Sequence, residues 1–542
     1  MIRRAPKAAD RQGMALLVVM VIVVLVALAA YGFNQQMTDT YRLSQLEIER
    51  AQARLTAMSA VDALRMAIER PRGQRMGWHR TAIDSFAGVP LEEDASVYGD
   101  ADASNSAWSF SVIAPSDGGT TSLDSDPEKV QSWRFGLTNE SAKLNLSVLS
   151  DWDQAQPGQA KLALMNLPGM DETMASALMR AYGISDSSRS KAVRLSDRLG
   201  AMATQGSSSM GQQDSDASQT ASRWAMLWNG GDWDQNYQLD SLELALMGQA
   251  TVETTAGIDP DPLRSSSSGA APLAWRDYLT FDSGQRNVNL TGNRRIFING
   301  KDLQSLHQEL LAIWPAEWAN FVIAARQFGI ARKRAGGKRR SSASAAEWTP
   351  DLSIPASTRL RTSLELVGVT VEIPESDDKV LRVRSPFTDD FGDPSNYLRA
   401  LVDDVTTNPS PVILGQVDVM DAPREVLLGI PGLSTETVGE IVERRGSPAA
   451  TDQSRDTIAW LLIENVVDLP ALQKMQPWIT VGGDCYHAQI VAFRDALTPT
   501  FRCTVSLDGC SASVPMRNYR EWNAWGQGFS IDELRADTLP TE

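Results

Sequence analysis

A chain of 542 residues is too long for one hydrophobic core, so several domains are expected. Its 42% apolar content excludes wholesale disorder. A net charge of −16, from 67 acidic and 51 basic residues, repels phosphate backbones and argues against nucleic acid as a partner.

Residues 1–13 hold Arg3, Arg4, Lys7 and Arg11 against a single acid, Asp10. Met14 to Phe33 then runs without a charge. At about 1.5 Å per residue this stretch reaches about 30 Å, the thickness of a bilayer core. The basic flank is expected to stay cytoplasmic, placing everything after Phe33 on the outer side of the membrane. A cleaved secretory signal competes through Ala27, Ala29 and Ala30, but no A-x-A site closes the run cleanly. From Asn34 to Arg70 there is neither proline nor glycine. Tyr41, Ser44, Ile48, Ala51, Leu55 and Met58 recur at alternating threes and fours, and Val61, Leu64 and Ile68 follow after a phase shift. That stripe predicts one helix face packed against something, continuous with the apolar span and ended by Pro71 and Gly73.

A short basic leader ending in glycine, followed by such a helix, resembles the type IV pilins and pseudopilins. The resemblance implies cleavage by a prepilin peptidase between Gly13 and Met14. Most members carry glutamate at the fifth mature position, where this chain has Val18. A buried, unpaired glutamate in lipid is costly, so its loss suits a subunit with nothing above it to pair with.

Two later stretches resemble each other. ESAKLNLSVL (140–149) with ALMNLPGMDETMASALMRAYG (163–183) matches GQVDVMDAPREVLLGIPGLSTETVGEIVERRG (415–446). Each has a short alternating segment, an apolar helix, a Pro-Gly turn at Pro168-Gly169 or Pro431-Gly432, and a second helix. This is a helix-hairpin-helix pattern. In DNA-binding hairpins the turn's amides hold a phosphate; here Asp171 and Ser434 replace the second glycine and Glu172 and Glu436 follow in the first turn, where a carboxylate caps the helix and repels an anion. RNVNLTGNRRIFINGKDLQSLHQELL (286–311) reads as a reduced third copy without Pro-Gly.

Lys143-Leu144-Asn145-Leu146 and Asp421-Ala422-Pro423-Arg424-Glu425-Val426-Leu427 are similar to segments of protein K, the tip subunit of type II secretion pseudopili. Asp421 stands where that family has threonine, and is read as a turn or cap change. The resemblance is patchy and covers roughly residues 11–70, 130–185, 280–330 and 410–530. It implies an α+β fold: a long N-terminal transmembrane pilin helix, then a pilin-like antiparallel sheet with a large inserted α-helical domain of helix-hairpin-helix repeats. It also implies a single-pass inner-membrane protein with a periplasmic body and no enzyme activity. The implied partners are other minor pseudopilins, the secretion platform and the prepilin peptidase. The rival readings are a minor type IV pilin and a membrane-tethered DNA receptor.

The expected divisions are a leader (1–13), the helix (14–70), first strands (71–139), a first hairpin module (140–200), a linker (201–222), the middle copy (223–334), a linker (335–350), a connection (351–410), a second hairpin module (411–470) and C-terminal strands (471–542). Serine, glycine and glutamine dominate 202–222, 265–271 and 335–346, which are expected to lack packed structure. CYHAQIVAFRDALTPTFRCTVSLDGC (485–510) alternates apolar and polar residues twice, with turns at Pro499 and Asp508-Gly509, predicting antiparallel strands.

No nucleophile, Walker or zincin motif is present, and His79, His307 and His487 share no metal spacing. The three cysteines are Cys485, Cys503 and Cys510. Cys503 and Cys510 stand close enough in sequence for a hairpin disulfide, with unbonded thiols as the alternative. The family resemblance implies calcium, for which Asp100, Asp102, Asp124, Asp126, Asp389, Asp390 and Asp393 supply oxygen ligands in acidic loops.

Overall fold

The computed structural model describes residues 12–91, 107–116, 133–181, 228, 232–237, 274–331, 339–376, 379–388, 397–445, 455–495, 498–523 and 528–535. Gln12–Glu69 is one helix of 58 residues, and Pro71 follows its end. The helix is long and apolar enough to cross a membrane. Every residue from Leu16 to Ile48 is exposed, a free length of about 50 Å at 1.5 Å per residue.

Only the last turns of this helix dock. Ala53, Thr56, Ala57, Ala60, Val61, Leu64 and Ile68 are buried against the strands Ser109–Pro115, Cys485–Phe493 and Phe501–Asp508. The stripe read from sequence agrees with this face at Val61, Leu64 and Ile68. Its first half does not: Tyr41 and Ile48 lie beyond the body, and Leu55 points away from it, 67% exposed. Small side chains at 53, 57 and 60 admit the sheet closely beside Val61, Leu64 and Ile68, whereas Leu55 and Met66 stay exposed.

The sheet is antiparallel throughout, in the order Val89–Pro90, Ser109–Pro115, Cys485–Phe493, Phe501–Asp508, Met516–Glu521. Trp133–Phe135 adds to the second of these strands and Thr138–Asn139 to the third. Cys485–Phe493 is almost wholly buried because it is central, while the edge strand Met516–Glu521 carries Arg517 and Arg520 toward solvent. Four of the seven strands come from before residue 140 and three from after 484, so the intervening chain is an insertion into the sheet.

That insertion is organised by three matching clasps. Leu144–Asn145 pairs in parallel with Leu279–Thr280, Ile296–Phe297 with Val405–Thr406, and Val417–Asp418 with Ile479–Thr480. In each, the residue after the first strand donates its N–H to the carbonyl of the facing threonine: Leu146 to Thr280 at 3.0 Å, Ile298 to Thr406 at 3.0 Å, Val419 to Thr480 at 3.1 Å. Parallel strands need a long crossover, and helices fill it each time. The first clasp encloses Leu149–Ala155, Gln159–Met165, Glu172–Ala181 and Trp275–Tyr278. The second encloses Leu303–Leu311, Ala316–Phe328 and Tyr397–Asp403, and the third Arg424–Leu427, Thr435–Arg445, Trp460–Ile463 and Leu469–Met475.

Arg339–Ser344, expected as linker, is a strand paired in parallel with Lys379–Arg384, which also forms a hairpin with Thr370–Ser376. Its serine-rich composition was a poor guide because a neighbouring strand supplies the backbone partners. The first and third modules touch directly. An added Cβ on Gly429 would lie 2.7 Å from Ala163 Cβ, and Gln159 Nε2 donates to Gly429 O at 2.7 Å. The described residues bury two separate apolar cores, one under the helix and sheet and one inside the clasped modules.

Candidate functional site

Both Pro-Gly turns connect two helices. Pro168 and Gly169 lie between Gln159–Met165 and Glu172–Ala181, and Pro431 and Gly432 between Arg424–Leu427 and Thr435–Arg445. The glycines are needed for their left-handed backbone, with φ of +68° and +91°. Each following helix is capped by its own chain: Asp171 Oδ1 accepts from Met174 N at 2.8 Å, and Ser434 Oγ from Thr437 N at 3.1 Å. Lys161 binds Glu172 beside the first turn. Pro168, Gly169 and Gly432 are exposed and Pro431 is buried; Trp275 Nε1 donates to Pro168 O at 2.8 Å, and an added Cβ on Gly432 would lie 3.6 Å from Met475 Cγ.

A heavily charged buried region lies between the two cores. Immediately after the long helix come Arg72, Arg75, His79 and Arg80. Pro71 and the short turns that follow fold this segment back across the sheet. Arg75 and Arg72 converge on Asp484, the residue before the central strand, with Arg72 Nη2 at 3.4 Å and Arg75 in closer contact. Asp484 Oδ2 also accepts from Arg286 N at 2.5 Å, so one carboxylate ties the helix exit to the insertion. Arg75 Nη1 donates to Tyr486 Oη at 2.7 Å and to Gly483 O at 3.0 Å.

A second carboxylate completes the seam. Asp421 Oδ2 lies 2.6 Å from His79 Nε2, and Asp421 Oδ1 accepts from Arg80 Nη1 at 2.7 Å. Asn139, at the end of a sheet strand, donates to Asp418 at 2.8 Å and to Asp421 at 3.3 Å. Asp421 is therefore no helix cap. It is a buried ion-pair partner of His79 and Arg80 on a distant segment.

Burial and the adjacent Asp421 push the Asp418 carboxyl up to about 8. Burial acts the same way on Asp421, but the nearby His79 and Arg80 outweigh it and hold that group well below the usual carboxylate range. Beside the first clasp, Lys143 Nζ donates to Glu140 at 2.7 Å, and Thr280 also donates to Glu140. Burial opposes ionisation of Glu140, yet Lys143 and His487 keep its carboxyl low, while burial brings His487 down to about 4.

A cavity of about 730 Å³ opens along the insertion side of the seam, lined in part by Arg72, Arg295, Asp403, Thr362 and Thr457. Arg295 pairs with Asp403 across it.

The sequence motifs located segments of this seam without revealing its chemistry. Lys143, Asn145 and Asp421 all lie in or beside it, whereas Arg72, Arg75, His79 and Asp484 carry no motif. Gly13 and Met14 sit in the first turn of the long helix. All seven calcium candidates, Asp100, Asp102, Asp124, Asp126, Asp389, Asp390 and Asp393, lie outside the described residues. Cys503 is not beside Cys510. It faces Ile490 within the sheet, and the extended strand up to Asp508 carries the two apart by about 3.3 Å per residue. Cys510 instead lies against Cys485 and Asp508.

No family model, curated protein or solved structure matches this chain.

Proposed function

We propose that this protein is a minor pseudopilin of the protein K type, acting at the tip of a type II secretion pseudopilus in filament initiation and protein export. The observation that carries the reading is the helix of 58 residues, apolar in its first half and, among the described residues, docked only from Glu49 onward. Such a shape leaves the apolar length free for a membrane and for neighbouring helices, with a large body at the far end. A filament subunit needs a side profile that stacks; a body inserted this heavily into its own sheet suits an end position. The basic leader remains cytoplasmic and the body periplasmic, and prepilin peptidase removes residues 1–13. Other minor pseudopilins and the secretion platform are the partners. The hairpin modules act as packing units and need no turnover or nucleic acid. The same reading expects calcium in the acidic loops around Asp100, Asp124 and Asp389.

Mass spectrometry of the membrane-extracted protein, with and without prepilin peptidase, tests the proposal. A mature terminus at Met14 that depends on the peptidase is expected. An intact Met1, or a cut near Ala30, would sink it.

A further inference from the structure

The geometry points to a disulfide between Cys485 and Cys510, closing at the seam between sheet and insertion and leaving Cys503 as the free thiol. The two sulfurs lie 3.7 Å apart, so a bond of about 2.05 Å needs a closure of only about 1.7 Å. Cys485 opens the central strand opposite Asp508, and the turn after Asp508 brings Cys510 back beside it. Gly284 leaves the space: an added Cβ there would stand 3.1 Å from Cys510 Sγ. Cys510 is half-buried and reachable by an oxidant, whereas Cys503 is fully buried.

The same three groups, Cys485, Asp508 and Cys510, have the ligand types of a zinc site. The carboxylate already accepts hydrogen bonds on both oxygens, however, including one from Cys485 Sγ to Oδ1 at 3.6 Å. Asp508 Oδ1 accepts from Cys510 N at 2.9 Å, and Oδ2 accepts from Arg517 and from Ser511 Oγ. No fourth ligand stands among the described residues. The hydrogen bond with Cys510 and then burial push the Cys485 thiol up.

The reaction is thiol–disulfide exchange with an oxidant of the disulfide class. The two thiols give up two protons and two electrons, the Cys485–Cys510 bond forms, and the oxidant's sulfur–sulfur bond is reduced to two thiols. The bond would lock the segment that carries Asp484. Asp484 O accepts from Gly509 N at 2.8 Å, and its N–H donates to Gly284 O at 3.0 Å, so the crosslink closes directly over the carboxylate that Arg72 and Arg75 grip. Formation in the cell rests on the periplasmic placement proposed above; the geometry does not.

The test uses the full-length chain in detergent, oxidised with glutathione disulfide, alkylated under denaturing conditions and mapped by peptide mass spectrometry. The expected result is a fall from three free thiols to one, with a Cys485–Cys510 crosslinked peptide. Reduction should lower the unfolding temperature by several degrees in wild type and leave the Cys510→Ser variant unmoved. Three persistent thiols, a bond that includes Cys503, or stoichiometric zinc held by the reduced protein would overturn the assignment. A bond without a thermal shift would overturn its clamping role. Alkylation of intact cells separates the two readings: thiols free in the cell but bonded in vitro would refute the periplasmic placement and leave the disulfide standing.

Discussion

His79 Nε2 and Asp421 Oδ2 meet at 2.6 Å although 342 residues separate them. His79 follows the long helix directly, and Asp421 lies just beyond the opening strand of the third clasp. With Arg80 and Asn139 this contact fixes the insertion against the base of the sheet. Removing one partner of a buried pair leaves an uncompensated charge. Asp421→Ala should therefore cost about 3–5 kcal/mol of stability, read from the shift in urea midpoint. A loss below about 1 kcal/mol would show that the seam is not held here.

The neighbouring Asp418 sets a pH limit. Its folded pKa, about 8, lies above an ordinary carboxylate value, so its contribution is fully present below about pH 4 and lost as pH rises through about 8. Asp421 is displaced the other way, and its contribution is lost as pH falls below the usual carboxylate range. Wild type should lose stability from about pH 4 to 8 and level off above it. Asp418→Asn should flatten that limb and spare the acid one. The first clasp carries asparagine at the matching position: Asn145 Oδ1 accepts from Ser147 N at 2.9 Å, as Asp418 Oδ1 does from Met420 N. Superimposable profiles for variant and wild type over this range would refute the assignment.

Gly429 governs how closely the first and third modules approach. Its added Cβ would meet Ala163 Cβ at 2.7 Å and Cα at 3.0 Å, and the latter is backbone that cannot swing aside. Gly429→Val should cost about 1–3 kcal/mol, and Ala163→Gly in the same chain should recover part of it. Additive losses from the two substitutions would mean that the modules do not press on each other at this point.

On the long helix, size matters on one side only. Ala60 is fully buried against the sheet, so Ala60→Leu should destabilise by about 1–3 kcal/mol. Leu55 is exposed, and Leu55→Ala should stay within about 0.5 kcal/mol in the isolated chain. Thermal unfolding of the detergent-extracted protein distinguishes the two; equal losses would refute the docking face.

Some of this architecture was written in local pattern. The uncharged run from Met14 and the absence of helix breakers to Arg70 required a long helix, because backbone hydrogen bonds and apolar length are properties of contiguous sequence. Alternation around Pro499 and Asp508-Gly509 likewise produced the strands Cys485–Phe493 and Phe501–Asp508. The Pro-Gly turns at 168–169 and 431–432 marked where helices must stop.

Other features exist only once distant segments meet. A clasp strand of two residues has no period to read, so Leu279–Thr280, Val405–Thr406 and Ile479–Thr480 emerge through their partners alone. Which side of the helix docks was decided by the sheet, which accepted the alanine face and left Leu55 outside. The role of Asp421 depended on His79 and Arg80, and the neighbour of Cys510 depended on strand register. Periodicity and turn chemistry act between residues near in sequence, whereas buried charge pairing and thiol proximity act between residues near in space. The first kind was determined by the sequence alone; the second was decided only when the insertion closed against the sheet.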